Sequence, residues 1–580
     1  MVQLDLSILR SHLVTLYGPS TGEETFERLH AILNGYQKNP AFSPEASPPL
    51  SERDSVLITY ADQLGEPHMF PLRTLTQFCE RYLSGLVSSV HILPFYPYSS
   101  DDGFSVIDYR EVNPEFGHWG HISQLGRTFR LMFDAVINHA SVQHDWFQGF
   151  LRDDPAYRDY FIAVEGNPDL SQVVRPRALP LLTTFETPSG PKKVWTTFSA
   201  DQADLNFQNP KVLLEIIDTL LFYMAQGAQL IRLDAIAYLW KEIGTSCIHL
   251  PQTHRIIKLF RAVLDAVAPP VLLITETNVP HQDNISYFGS GTDEAQMVYN
   301  FALPPLVLHT LHTQNSHALS TWAASLTLPT LQTTFFNFLA SHDGIGVNPA
   351  RGILAEQEID QLIQRVVDHG GLVSYKDVDG KQIPYELNVN YFDALSNPGA
   401  AEALTTQVDR FMTAQAIMLA LVGVPGIYFH SLFGSRGWRA GVEITGRNRT
   451  LNRQKFGLAD FERELTDGSS LRYQVFQRYA QLLRARAGSS AFHPHGSQEI
   501  LDYGEAIFAA LRFSPDGATR VLCLHNISDQ PQRANLETKE IFGLFAGSLI
   551  DVIADQRMDD LLKDTLTLQP YQSLWLRIKE

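Results

Sequence analysis

Four stretches of this sequence end in carboxylates: Phe133-Asp134-Ala-Val-Ile-Asn138-His139, Ile231-Arg232-Leu233-Asp234, Thr275-Glu276-Thr277 and Ala340-Ser341-His342-Asp343-Gly344. Each closes an apolar run with the texture of a buried strand. Taken singly, a carboxylate just past a strand is an ordinary helix cap. Four in succession, three of them beside a His or Arg, point to one shared polar site. Arg232 and Asp234 stand two apart, so on a strand their side chains share a face. A guanidinium beside a carboxylate favours its ionised form, and an ionised, oriented Asp is what a nucleophile at a sugar carbon needs. Glu276 follows Val271-Leu-Leu-Ile274; desolvation by such a run raises a carboxyl pKa and suits a general acid. Together the two are equipment for retaining chemistry at a glycosidic bond, for which they must stand about 5–5.5 Å apart. Asp343, with His342 and His139, is suited to hold sugar hydroxyls and to stabilise positive charge at the anomeric carbon.

These groups need a scaffold that gathers strand ends. Short apolar runs at 56–61, 90–95, 131–137, 229–236, 271–275, 297–301, 334–340 and 426–429 alternate with amphipathic stretches such as 212–224 and 254–266. Eight strands with intervening helices predict a parallel sheet closed into a (β/α)₈ TIM barrel, an α/β fold whose active sites lie where the strands end. The expected barrel covers 51–140 and 208–487. Two connections are too long for simple crossovers and read as functional insertions: a B-type subdomain at 141–207 and a loop at about 344–409. Residues 1–50 read as a helical extension, with Leu6, Leu9, Leu13 and Leu16 at helical spacing, followed by a proline-rich link from Pro40 to Pro49. After a linker-like Gly488 to Gly496, runs at 506–513, 520–525, 548–553 and 565–578 predict a C-terminal all-β domain at 488–580.

Composition narrows the partners. In 580 residues there are 45 Lys and Arg against 63 Asp and Glu, a net charge of −18. That argues against nucleic acid and anionic membranes, which require a basic field. Three scattered cysteines, Cys79, Cys247 and Cys523, form no CxxC pair and fit a reducing cytoplasm rather than a disulfide or zinc scaffold. The start, from Met1 to Arg10, carries Asp5 and no basic region, so it does not read as a signal peptide. The uncharged stretch 411–435 is interrupted by Pro425 and Gly426 and reads as a buried helix followed by a buried strand rather than a membrane span.

At this point the strand ends resemble the recurrent regions of the alpha-amylase superfamily, glycoside hydrolase family 13. Within it, Leu57-Ile-Thr-Tyr-Ala-Asp62, His91-Ile-Leu-Pro-Phe95, Asp101-Asp-Gly-Phe104, Arg175-Pro-Arg177, Gly244-Thr-Ser-Cys247, Phe301-Ala-Leu-Pro-Pro305 and His342-Asp-Gly-Ile-Gly346 resemble the sucrose phosphorylase branch. The resemblance implies Asp234 as nucleophile, Glu276 as acid/base and Asp343 as transition-state stabiliser. It implies Arg232, His139, His342, Asp101 and Arg449 as contacts to the bound glucosyl unit. Phe104 and Phe198 become walls of the donor pocket, with Tyr238 and Gln202 lining the same site. Asp204 matches a recurrent element with a structural reading. Inorganic phosphate, rather than water, then captures the glucosyl enzyme, with no cofactor and no metal. Arg177, assisted by Arg175, matches the phosphate-binding position; the lesser alternative for Arg175-Pro-Arg177 is a solvated loop.

The acceptor side departs from sucrose phosphorylases. Aligned on Tyr385, Ile383 replaces an Asp that helps hold fructose, and Asn278 replaces a His two residues after the acid/base. Pro384-Tyr385-Glu386, Thr275-Glu-Thr-Asn-Val-Pro280, Ser99-Ser-Asp-Asp-Gly-Phe104 and the helical extension look more like glucosylglycerate phosphorylases. That implies 2-O-α-D-glucosyl-D-glycerate as donor and D-glycerate as leaving group. Loss of a carboxylate suits an acceptor that carries its own, because like charges repel in a shielded pocket. Sucrose, sucrose 6-phosphate and glucosylglycerol phosphorylases, or an α-glucosidase or transglucosidase, remain the alternatives. The sequence leaves a homodimer open.

Overall fold

The structure is a computed structural model that describes residues 6–36, 49–267, 271–378, 381–536, 549–558 and 565–578. Eight parallel strands close into a barrel: β1 Val56–Thr59, β2 Ser89–Ile92, β3 Arg130–Ala135, β4 Ala228–Leu233, β5 Leu272–Thr275, β6 Met297–Tyr299, β7 Thr334–Asn337 and β8 Val424–Tyr428. All eight fall on the expected runs. Several stop short of them: β2 ends before Pro94, which has no N–H to offer a ladder, and β3 ends before Asn138 and His139, which turn into the site. The register does the positioning. Arg232 of β4 lies beside Asp134 of β3 on one side and Ile274 of β5 on the other.

The first insertion holds a three-stranded sheet of Ala163–Val164, Leu182–Phe185 and Lys192–Trp195. It has its own small core, where Trp195 and Val173 pack with Cys247. A second pair, His139–Ser141 with Gln202–Asp204, fastens the insertion to the end of β3. The second insertion is a hairpin of Leu372–Val378 and Lys381–Asn388, joined to Ile345–Gly346 just after Asp343.

The N-terminal segment is two helices, Ser7–Tyr17 and Pro19–Tyr36, because Gly18 and Pro19 interrupt the single periodicity. Leu9, Leu13, Leu29 and Leu33 are buried, and Tyr17 Oη donates to the Phe207 carbonyl at 2.9 Å. Most of the proline-rich link, 37–48, lies outside the described residues.

At the other end the described strands form a six-stranded antiparallel sheet with a separate two-stranded pair. Its inventory corrects the sequence reading. Gln498–Asp502 and Gln532–Asn535 were not expected as strands, since both are half-exposed and polar. The expected single strand at 565–578 is two, Thr565–Leu568 and Ser573–Ile578, parted by Pro570 and a left-handed Tyr571 (φ 52°). Phe508 and Ala510 face the main core while Ile507, Ala509 and Leu511 face a second one, the period-2 alternation of a two-sided sheet. The expected linker is packed rather than loose, with Ala491 and Phe492 fully buried. The uncharged stretch becomes the end of helix Leu404–Ala420, β8 and helix Phe429–Leu432. Among the described residues no helix is long and apolar enough to cross a membrane.

Candidate active site

Arg232 organises the strand ends. Its Nη1 donates to Asp234 Oδ1 at 2.8 Å and also to Asp134 Oδ1, and its Nη2 lies 3.8 Å from Glu276 Oε2. Asp134 is fully buried and its other oxygen contacts His91 Nε2 at 2.7 Å. Burial works against ionising Asp134, but Arg232 and His91 outweigh it and bring its carboxyl down to about 2. The guanidinium is therefore clamped from below by a permanent anion and offered upward to two carboxyl groups. Sequence reading named His91 and Asp134 in motifs but gave them no role; only the register between β2, β3 and β4 reveals one.

Ala235, next after Asp234, is left-handed (φ 48°). A non-glycine residue there costs on the order of 1 kcal/mol or more. The twist turns its N–H to Glu276 Oε2 at 3.0 Å, so the backbone beside one carboxyl holds the other. Both carboxyls are buried. Burial pushes Asp234 up to about 8 against the pull of Arg232, and it pushes Glu276 up as well. Two acids in one dry site cannot both ionise readily, and they titrate as a pair. The guanidinium contact is shorter to Asp234, 2.8 Å against 3.8 Å, so it favours the charged form of Asp234 more strongly than that of Glu276. Arg232 thus biases the shared titration of the pair, rather than by itself keeping Asp234 charged as the spacing alone suggests.

Asp343 is set differently. Its Oδ1 lies 2.5 Å from Arg449 Nη1 and 3.7 Å from Arg453 Nη2, and its Oδ2 lies 3.6 Å from His342 Nε2. Burial opposes its charge, yet Arg449, His342 and Arg453 hold it well below the usual carboxylate range. Arg449 also takes Glu386 in a two-pronged contact, Nε at 3.0 Å and Nη2 at 2.6 Å. Arg453 donates to the His342 carbonyl at 2.8 Å and to Asp102 at 2.6 Å. Asp101 and Asp102 are both left-handed, and Asp101 Oδ2 meets Arg177 Nη2 at 3.3 Å. Arg177, Arg453 and Arg449 overcome burial to keep Asp101 charged. Glu386 and Arg453 are contacts that sequence reading did not assign. The four-residue spacing of Arg449, in the short helical turn Asn448–Asn452, and Arg453, just past its end, is the signal that was there to find.

The aromatic walls surround this cluster. Phe104 stacks on His342 with centroids 4.6 Å apart and planes 4° from parallel, and Arg232 lies 5.7 Å from its ring. Phe198 meets Tyr238 edge-on at 5.6 Å, and Arg177 sits 5.5 Å over the Phe198 ring. His139 Nε2 and Gln202 Nε2 both lie 2.8 Å from the Phe104 carbonyl, so they fix that wall from behind. Asp204 is buried against Lys241 at 2.6 Å, Asn138 at 3.1 Å and Thr197 at 2.7 Å, which ties the first insertion to β3. Arg175 is not brought in: its Nη2 is spent on the Leu179 carbonyl within its own loop.

The second insertion reaches the site through a bulge. Ser374 pairs with Glu386 and Tyr375 with Pro384, leaving Tyr385 as the extra residue. A bulge re-aims such a residue, and Tyr385 Oη lies 3.4 Å from Asn278 Nδ2. The glycines of His342-Asp-Gly-Ile-Gly346 make this approach feasible. A Cβ on Gly344 would come within 2.6 Å of Glu386 and of the Leu387 carbonyl, and one on Gly346 within 2.4 Å of Asn278.

Of the four arginines, Arg177 is the least committed. Its carboxylate contact is 3.3 Å where Arg449 and Arg453 reach 2.5 and 2.6 Å, and 27% of its side chain is exposed. An arrangement with two coupled buried carboxyl groups on one guanidinium, and a second, lightly held guanidinium nearby, suits displacement at a sugar carbon and reception of an anion.

The sequence comparisons agree in kind. The family described as "Alpha amylase, catalytic domain" matches residues 81–347. The chain is 52% identical over 568 residues to the glucosylglycerate phosphorylase of Spirochaeta thermophila, covering 97% of this chain and 95% of that one. It is 48% identical over 528 residues to the glucosylglycerate phosphorylase of Escherichia coli, covering 91% and 92%. A crystal structure of sucrose 6F-phosphate phosphorylase from Thermoanaerobacter thermosaccharolyticum superposes with a TM-score of 0.71 at 27% identity, over 82% of this chain and 94% of that one.

Proposed function

The chain belongs to the alpha-amylase family, glycoside hydrolase family 13, and from that premise we propose that it is a retaining α-glucoside phosphorylase acting on 2-O-α-D-glucosyl-D-glycerate. One observation carries the chemistry: a single buried guanidinium reaches Asp234 at 2.8 Å and Glu276 at 3.8 Å and so favours the charge on the first of the pair. The near-full-length identity to glucosylglycerate phosphorylases carries the substrate. In the first step Asp234 attacks the anomeric carbon, the bond to the glycerate oxygen breaks, and Glu276 gives that oxygen its proton. In the second, an oxygen of hydrogen phosphate attacks the same carbon and displaces Asp234. Its proton returns to Glu276 and the product is α-D-glucose 1-phosphate. Asp343, always ionised, faces the positive charge that develops between the steps. Phe104, Phe198, Asp101 and Arg449 hold the glucosyl unit, and Tyr385 and Asn278 border the acceptor. A cytoplasmic location fits three buried cysteines that form no disulfide.

The anomeric outcome tests the two-step reading. Time-resolved NMR of the phosphorolysis is expected to show α-D-glucose 1-phosphate as the first phosphorylated product. Appearance of the β anomer first would mean a single displacement and would remove Asp234 as nucleophile.

Arg177 is the residue for phosphate. Its substitution in Arg177→Ala removes one charge-assisted contact, about 1.5–3 kcal/mol, or roughly 10- to 100-fold. The phosphate KM is expected to rise by that factor while glucosylglycerate KM changes little. An unchanged phosphate KM would take Arg177 out of the site.

A further inference from the structure

Glu386 belongs to the second insertion, yet its carboxylate serves the donor side of the site. The strand Lys381–Asn388 places it between Ser374 and Gly346, directly after the bulged Tyr385. It is 1% exposed, and a carboxylate so deeply buried is strongly unfavourable unless it is paired. Its partner is Arg449, gripped at Nε (3.0 Å) and Nη2 (2.6 Å). The third nitrogen of the same guanidinium, Nη1, lies on Asp343 Oδ1 at 2.5 Å. A planar guanidinium presents its donors in a fixed fork. The two-pronged grip on Nε and Nη2 therefore sets the direction of Nη1 and aims it at Asp343. Gly344, next after Asp343, makes the room, since a Cβ there would come within 2.6 Å of Glu386 Cγ.

The charges decide what this arrangement does. Two carboxylates share one guanidinium, so the trio carries one net negative charge. With a neutral side chain in place of Glu386, Arg449 and Asp343 would form a simple ion pair. The field that Asp343 presents to the sugar would then be largely cancelled. The other neighbours leave that balance alone. Arg453 lies 3.7 Å from Asp343 but is matched by Asp102 at 2.6 Å and Asp101 at 3.5 Å. Burial brings the His342 imidazole down to about 3, so it adds no positive charge near neutral pH.

We propose that Glu386 is a positioning residue for the donor site: it aims Arg449 and offsets its charge, so that Asp343 keeps a net negative field toward the anomeric carbon. This rests on the reading above, in which Asp343 faces the charge that develops there. The hairpin that borders the acceptor through Tyr385 is then also part of the machinery for breaking the glucosyl bond.

The test is a pair of calorimetric titrations on the full chain. One ligand is 1-deoxynojirimycin in its protonated form, a cation with the outline of a glucosyl unit; the other is D-glucose, neutral and of similar shape. In Glu386→Gln, which keeps the size and loses the charge, the Kd of the iminosugar is expected to rise about tenfold, the worth of one charge-assisted contact. The Kd of glucose is expected to stay within about threefold, well under that contact's worth. On glucosylglycerate, kcat is expected to fall about 10- to 100-fold while KM changes little. Glu386→Asp, which keeps the charge, is expected to hold the preference for the cation within about threefold of the parent. Should Glu386→Gln not fold, Glu386→Ala, which admits water to Arg449, carries the same two titrations. Neither titration needs turnover, so a wrong donor assignment leaves both readable. Equal weakening of both ligands, an unchanged iminosugar Kd, or a preference lost as fully in Glu386→Asp as in Glu386→Gln overturns the proposal.

Discussion

Asp234→Asn is expected to lose phosphorolysis by a factor on the order of 10⁴ or more while the protein stays folded. The amide matches the carboxylate in shape, and its oxygen still accepts from Arg232 Nη1. Arg232 keeps its second anion, Asp134, so no buried guanidinium is left unpaired. What the amide cannot do is form the ester to the anomeric carbon, and removal of a covalent nucleophile leaves only binding and charge stabilisation. Steady-state kinetics on glucosylglycerate measure the loss, and circular dichroism checks the fold. Activity within about a hundredfold of the parent would show that another group attacks.

Glu276→Gln has the next largest expected effect, and its size should depend on the leaving group. With glucosylglycerate the lost proton donor is worth about 10²- to 10⁴-fold. With α-D-glucosyl fluoride, whose leaving group departs without a proton, the loss should stay within about tenfold. The pH profile adds a second reading. Burial raises the Glu276 carboxyl above its ordinary value, and the protonated form is the active one in the first step. Activity on glucosylglycerate should therefore fall as pH rises through that raised pKa, and this alkaline limb should vanish in Glu276→Gln. Equal losses on both donors, with the alkaline limb intact, would assign the proton to another residue.

Much of this was legible in advance, for a physical reason. Parallel barrel strands are buried on both faces, so they stand out as continuous apolar runs, and the polar residues that end them mark the catalytic face. Asp234, Glu276, Asp343, Arg232 and His342 stand out at that boundary in the sequence, and the structure gathers them in one cluster. The supports were not. Asp134, His91, Glu386 and Arg453 are ordinary residue types whose meaning lies in neighbours from distant segments. Asp134 meets Arg232 across the β3–β4 register, and Glu386 meets Arg449 across 63 residues. The bulge at Tyr385 depends on how a hairpin closes, which no local pattern encodes. Arg175 and Arg177 look alike two residues apart, but only Arg177 reaches the Asp101 cluster. In the C-terminal sheet, half-exposed strands such as Gln498–Asp502 lack the apolar run that betrays a barrel strand.

The acidic chain also takes on a sharper meaning. With a net charge of −18, the overall field opposes anionic substrates, though salt screens it beyond about 8–10 Å. The site itself holds more carboxylates than guanidiniums. On the proposed reading, phosphate recognition rests on local, lightly paired cations, and Arg177, 3.3 Å from its carboxylate, is the one the geometry leaves most available.

The central claim is tested most directly by one donor panel. The protein is incubated with 2-O-α-D-glucosyl-D-glycerate, glucosylglycerol, sucrose and sucrose 6-phosphate, each with and without inorganic phosphate, and both glucose 1-phosphate and free glucose are assayed. The expected result is phosphate-dependent glucose 1-phosphate, formed fastest from glucosylglycerate with little free glucose. Faster phosphorolysis of sucrose, or equal glucose release without phosphate, would contradict it.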